Sequence, residues 1–383
     1  MMEHLKRQEP GLQTPVYVVD EAALVHNLEI LQGVQQRTGC HILLAQKAFS
    51  MFRVYPLIGQ YLAGATASGL FEARLAHEEM PGKENHVFCP AYTPEEMEEI
   101  VQICDHISFN SLAQLEAHRP VWEKAGVSVG LRVNPEHSTQ EGHAIYDPCA
   151  PGSRLGIRRQ NLPDQLPKGV EGLHFHTLCE QDAAPLVETF AAFEEKFGQY
   201  LPGLKWINLG GGHHITRPGY DIAALEQLIL SIREKYGLEV YLEPGEAIAL
   251  SAGTLITTVL DIVQATDMPV LILDTSAACH MPDVLEMPYR PPLYDSGLPG
   301  EKACTCLLAS RTCLAGDVIG EYSFDSCPQI GDRLVFGDMA IYSMVKNNTF
   351  NGMPLPDIAL RHLDGSCEVV RHFGYQDFKT RLS

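Results

Sequence analysis

The sequence predicts an α/β protein: a (β/α)8 TIM barrel followed by a C-terminal β-sandwich or β-barrel domain. Three observations carry this. Eight short β-rich runs occur at 41–47, 64–68, 86–90, 106–111, 128–134, 172–178, 205–212 and 239–246. Helix-like stretches separate most of them, and alternation of this kind builds parallel βα units. After about residue 250 the pattern turns to β-rich runs with Pro and Gly turns.

The elements follow in order. Residues 15–20 read as a strand ahead of the first helix, free to pair into the later β domain. One polar residue near the end of each barrel run gives Lys47, Ser68, Cys89, Asn110, Arg132, His176, Gly210 and Glu243. The first four gaps are 21, 21, 21 and 22 residues, whereas Arg132 to His176 is 44 and must hold an inserted loop, placed at 136–155. Barrel chemistry sits at the C-terminal strand ends, so these residues face one mouth. Thr93 caps a helix with Pro94 at its first position and acids in its first turn. Asp221 caps another, with apolar residues at helical spacing behind it. The β domain takes runs at 253–259, 270–274, 303–308 and 333–336. The domain expectation is therefore a barrel over 21–250, with 1–20 and 251–383 forming the β domain.

Composition removes whole classes of function. The chain has 383 residues, 45% apolar and 20% charged, which is globular usage. Lys plus Arg is 28 against 48 Asp plus Glu, a net charge of −20. Such a field argues against nucleic acid and favours cationic small molecules. No apolar run is long enough to span a bilayer. The N-terminus is polar with no signal-like segment, so the expectation is a cytoplasmic protein whose 11 cysteines are free thiols. Cys304-Thr305-Cys306 has no nearby C-x-x-C partner, which argues against zinc.

Several residues point to chemistry. A lysine such as Lys47, ending an apolar inner strand, becomes a nucleophile as burial lowers its pKa; the plainer reading is a snorkelling strand-end lysine. Gly210-Gly211-Gly212 follows candidate strand seven, where barrels commonly bind phosphate through free backbone N–H groups. Glu243-Pro244-Gly245 ends strand eight. A carboxylate beside a phosphate loop suits a ring nitrogen, and a capped turn acid is the bland alternative. His174 and His176 share a strand face. They are a metal pair only with further ligands that the sequence does not offer, and a ring stacked on a cofactor fits better. His213 and His214 follow the glycines as loop residues. Cys313 and Asp317 stand close enough to be a proton donor and a cation anchor, or else a structural thiol and a turn acid.

Together these residues resemble the fold-type III pyridoxal-phosphate decarboxylases, which pair an alanine-racemase-like barrel with a C-terminal β domain. The similarity runs from Thr14-Pro15-Val16-Tyr17 to Asp338-Met339-Ala340-Ile341-Tyr342. His176-Thr177-Leu178-Cys179-Glu180, Asn208-Leu209-Gly210-Gly211-Gly212-His213-His214 and Glu243-Pro244-Gly245-Glu246-Ala247 are similar to the carboxynorspermidine/carboxyspermidine decarboxylase branch. The resemblance implies pyridoxal 5'-phosphate bound covalently by Lys47, stacked on by His176, held at its phosphate by Gly210 to Gly212 and Tyr342, and faced at its ring nitrogen by Glu243. It implies a homodimer with shared sites, in which Cys313 from the partner protonates the substrate carbon and Asp317 binds a distal amine of a polyamine-type substrate. Arg154 and Glu246 join Asp317 as candidate substrate contacts. Two departures stand out. Glu246 replaces a phosphate-binding Arg, and Gly64-Ala65-Thr66-Ala67-Ser68 replaces a run that carries an Asp near the cofactor. The alternatives within the fold are a diaminopimelate or ornithine decarboxylase or an amino-acid racemase. Outside enzymes, the alternative is a non-catalytic pyridoxal-phosphate carrier, which would be a bare barrel.

Overall fold

A computed structural model describes residues 9, 11–140 and 144–383. Residues 1–8 and 10, on which the reading of the N-terminus rests, and 141–143 of the inserted loop lie outside the described residues. The chain divides into two compact units. One is His26–Ile248, and the other joins the residues up to Val25 with Ala249–Ser383. The first division falls inside the helix Glu21–Thr38, not at the 20/21 boundary expected from the sequence.

In His26–Ile248, eight parallel strands close into a barrel. They are His41–Ala45, Gly64–Ala67, Glu84–Phe88, His106–Phe109, Ser128–Asn134, Val170–His174, Trp206–Asn208 and Glu239–Leu242. The ring closes where Tyr241 and Leu242 pair with His41 and Ile42. Ile42 to Ala45 are all buried, which is why that run shows no polar alternation. Both helix starts read from the sequence are present. Thr93 accepts from the Glu96 amide while the Glu96 carboxylate accepts from the Thr93 amide, capping Pro94–Ile103. Asp221 accepts from the Ala224 amide to start Ile222–Tyr236. Among the described residues no α-helix lies between Asn134 and Val170, only two 3-10 turns and the short strand Ile157–Arg158 paired on Ser128–Asn134.

Trp206 fills the barrel interior near the strand starts. It takes the space that two glycines leave: a Cβ on Gly172 would stand 2.0 Å from its Cδ2, and one on Gly130 2.3 Å from its Cη2. His106 stacks on the Trp206 ring at 4.9 Å and His86 on His106 at 4.1 Å. Glu84 bridges His41 and His86, each at 2.9 Å.

The second unit is a mixed sheet. Val16–Asp20 lies between Gly253–Gln264, antiparallel, and Asp357–Arg361, parallel. The N-terminal strand thus does pair into the later β region. Period-two alternation sends Tyr17 to one core with Leu255, Leu271, Leu308 and Phe336, and Val16 and Val18 to another with Ile256 and Ala359. Four expected runs form strands, and Val318–Phe324, Asp357–Arg361 and Cys367–Arg371 add to them. One expectation fails here. Cys304 and Cys327 form a disulfide, so the cysteines are not all free thiols.

Candidate functional site

The barrel strands end around a small open cavity of about 40 Å3, lined by residues that include Lys47, Thr66, Phe88, Arg132, His174, His176 and Glu243. Of the strand-end residues read from the sequence, Lys47, Ser68, Arg132, His176 and Glu243 meet here, whereas Cys89, Asn110 and Gly210 are not among the lining residues.

Lys47 stands in the turn just after His41–Ala45, two residues beyond the strand's end. Its side chain opens to solvent within the cavity while barrel walls crowd it. Desolvation lowers its pKa, Arg132 adds to the effect, and Glu243, Glu246 and Glu72 oppose it. A larger share of neutral amine, and so a better nucleophile, follows. Glu72 was not anticipated: burial raises its pKa, with the Ser68 amide, 2.6 Å from its Oε2, and Lys47 acting the other way.

Glu243 is buried at the end of Glu239–Leu242. Burial works to raise its pKa, but His174 and the Asn208 amide outweigh it and hold the carboxyl below the usual range. Asn208 Nδ2 donates to Glu243 Oε1 at 2.7 Å, and His174 Nε2 lies 3.5 Å from Oε2. His174 is pushed down to about 4, first by burial. Asn208 is a link that the sequence did not single out. Its Oδ1 also accepts from the Gly210 amide at 2.8 Å, so one side chain ties the acid to the glycine loop.

The glycines make a cradle that side chains would fill. A Cβ on Gly211 would stand 2.0 Å from the Glu243 carbonyl oxygen, and one on Gly212, at φ +83°, 1.9 Å from that of Leu178. The loop offers fewer free donors than three glycines promise. The Gly210 amide is committed to Asn208, and the Gly211 amide donates to His176 Nδ1 at 2.9 Å. That bond leaves Nε2 as the protonated nitrogen of a neutral His176. Arg132 is buried over the Phe88 ring at 4.4 Å, and its Nη2 donates to the His176 carbonyl. Burial pushes its pKa down to about 10.

The remaining expected residues are not among those lining this cavity. Glu246 is paired with His214 Nε2 and does not line it. Arg154 is exposed, and its carbonyl accepts from Asn110 Nδ2 at 2.8 Å. In the sheet unit Cys313 is exposed, with its amide donating to Asn351 Oδ1 at 2.7 Å. Asp317 is only 3% exposed. Its Oδ2 accepts from the hydroxyls of Ser276, Ser310 and Thr312, and its Oδ1 from the Ala278 amide. A carboxylate filled in this way holds its own turn together. Tyr342 is half-buried with φ 45°. His174 and His176 belong to no His/Cys/Asp/Glu group of metal-binding spacing among the described residues.

Known proteins share this arrangement. A family model described as pyridoxal-dependent decarboxylase, C-terminal sheet domain, matches residues 16–340. A carboxynorspermidine/carboxyspermidine decarboxylase of Campylobacter jejuni is 42% identical over 381 residues, covering 97% of this chain and 98% of that protein. A carboxyaminopropylagmatine decarboxylase of Synechocystis is 42% identical over 373 residues, covering 97% and 96%. The crystal structure of carboxynorspermidine decarboxylase from Campylobacter jejuni, complexed with norspermidine, superposes with a TM-score of 0.90 at 41% identity, covering 97% of this chain and all of that one. This chain belongs to the pyridoxal-dependent decarboxylases, and pyridoxal 5'-phosphate is its cofactor.

Proposed function

We propose that the chain removes the α-carboxylate of a carboxylated polyamine, carboxynorspermidine or carboxyspermidine, to give norspermidine or spermidine in polyamine biosynthesis. The observation that carries this is near-full-length likeness to the Campylobacter jejuni enzyme, at 42% identity, together with the Lys47–Glu243 cavity. The Synechocystis relative, equally similar, supports carboxyaminopropylagmatine as a second substrate to test. A net charge of −20 suits any of these cations.

The residues present fit the cofactor: a side-chain-free cradle at Gly210 to Gly212, a neutral imidazole at His176, a buried anion at Glu243 and an accessible amine at Lys47. When bound, the cofactor supplies an electron sink for the pair released as CO2 leaves. Lys47 would hold it covalently and yield its place to the substrate amine. Glu243, kept ionised by Asn208 and His174, would hold a proton at the ring nitrogen. His176 would pack on the ring face, and Gly212 with its neighbours would hold the phosphate, aided by Tyr342. The barrel unit is thereby the cofactor-binding part, and the sheet unit contributes Cys313 and Tyr342. In a cytoplasmic homodimer, Cys313 of the partner subunit would return a proton to the substrate carbon. Asp317 serves as the positioning residue of the Cys313 turn, in place of the substrate anchor expected from sequence.

CO2 release, assayed in parallel on carboxynorspermidine, carboxyspermidine, carboxyaminopropylagmatine, ornithine and diaminopimelate, tests the reading. Turnover of a carboxylated polyamine well above the two amino acids is expected. Preference for ornithine or diaminopimelate overturns it.

A further inference from the structure

Three sulfurs meet in the sheet unit, and none belongs to a residue assigned above. Cys304 and Cys306 stand two apart on the strand Cys304–Ser310, so their side chains leave the same face. Their Sγ atoms are 3.6 Å apart. Cys327, beyond the neighbouring strand Val318–Phe324, is joined to Cys304. All three sulfurs lie within 4.8 Å of one another. Cys306 is wholly buried in the sheet core, Cys304 half-buried and Cys327 exposed.

The Cys304–Cys306 spacing of 3.6 Å is close to that of a thiolate cluster. Metal–sulfur bonds of about 2.3 Å put sulfurs about 3.8 Å apart in a tetrahedral site and about 4.0 Å apart in a trigonal one. The Cys304–Cys327 pair must separate to reach that geometry, with Cys306 already within 4.8 Å of both. Three thiolates, with no imidazole or carboxylate in the group, suit a soft cation in three-coordination. We propose that, when the Cys304–Cys327 bond is reduced, Cys304, Cys306 and Cys327 together hold one thiophilic cation, with Cu(I) the best match. The C-x-x-C partner missing from the sequence is supplied by Cys327 through the fold.

The chemistry balances. A small dithiol gives two electrons and two protons and closes to its own disulfide, and the Cys304–Cys327 bond opens to two thiols. Cu(I) then displaces three thiol protons to solvent. A plain structural disulfide would leave Cys306 a spectator, and this is the point on which the two accounts differ.

The test uses the full-length holoenzyme, reduced anaerobically with dithiothreitol, desalted, and titrated with Cu(I) held by bicinchoninate. Reduced wild type should withdraw one more equivalent of copper than the oxidised protein. Reduced Cys306→Ser and Cys327→Ser should each lack that equivalent. The idea falls if oxidised and reduced protein withdraw equal copper, or if either folded variant keeps the extra equivalent. Cys327 is exposed, so its variant decides the matter even if Cys306→Ser does not fold.

Discussion

The carboxylate of Glu246 is hydrogen-bonded to Nε2 of His214, a residue 32 positions away. His214 also donates its amide to Gln181, whose own amide donates to Gly212. The Glu246 acid is thus partnered within its own unit, and the partner is tied to the glycine loop. Removing the imidazole strands the carboxylate. His214→Ala should weaken pyridoxal-phosphate affinity about tenfold, the equivalent of about 1.4 kcal/mol. His214→Ala with Glu246→Ala should recover most of it. Spectrophotometric titration of the apoprotein reads this directly, and a double variant as weak as the single one refutes the account.

Glu243→Gln should keep the cofactor but lose turnover by ~10²-fold or more in kcat, since its charge acts on the developing transition state. Cofactor content is measured alongside CO2 release. Unchanged kcat removes Glu243 from the role.

The shared-site homodimer can be tested by mixing chains. Lys47→Ala and Cys313→Ala chains, co-folded, should regain up to about a quarter of wild-type activity, because half the dimers are mixed and each has one intact site. If sizing shows that the chains exchanged yet activity stays at parental level, Cys313 acts within its own chain or not at all.

Buried histidines set the acid limit. Burial, as the largest cause, lowers His106 to about 3 and His174, His213 and His280 to about 4, from 6.5. Unfolded chain binds more protons at these sites than folded chain, so their stability is present above about 6.5 and is lost as pH falls toward 4. His41 is raised, chiefly by its hydrogen bond to Glu84, and contributes in the opposite sense. The thermal midpoint should drop between about pH 7 and about pH 5, and His280→Gln should flatten the slope. A midpoint that climbs with acid contradicts this.

Trp206→Ala should cost ~3–5 kcal/mol in chemical denaturation, as for other buried aromatics, because two glycines already cede their volume to the ring. A loss under about 1 kcal/mol would mean that the barrel collapses around the gap.

Much of this was readable without coordinates, and the failures have physical reasons. Barrel strands such as His41–Ala45 showed because a buried parallel strand is a nearly unbroken apolar run. Val318–Phe324 was missed because Gly320 and Glu321 interrupt its alternation. Lys47 and Glu243 stood out because a charge at the end of an apolar run is costly without a purpose. Arg132 was on the strand-end series, yet nothing local told that its charge would be enclosed against Phe88. Asn208 and His214 act through partners far along the chain, and so does the bond between Cys304 and Cys327, 23 residues apart. Asp317 was read as a carboxylate near Cys313, but its four donors come from two separate segments, 276–278 and 310–312, that only folding assembles.

The indole of Trp206, with His106 and His86 layered upon it, makes the barrel a vessel with a floor. Lys47, Arg132 and Glu243 meet at the strand-end mouth of the barrel, the end away from that floor. The layered rings thus give the reacting groups a rigid base to stand over.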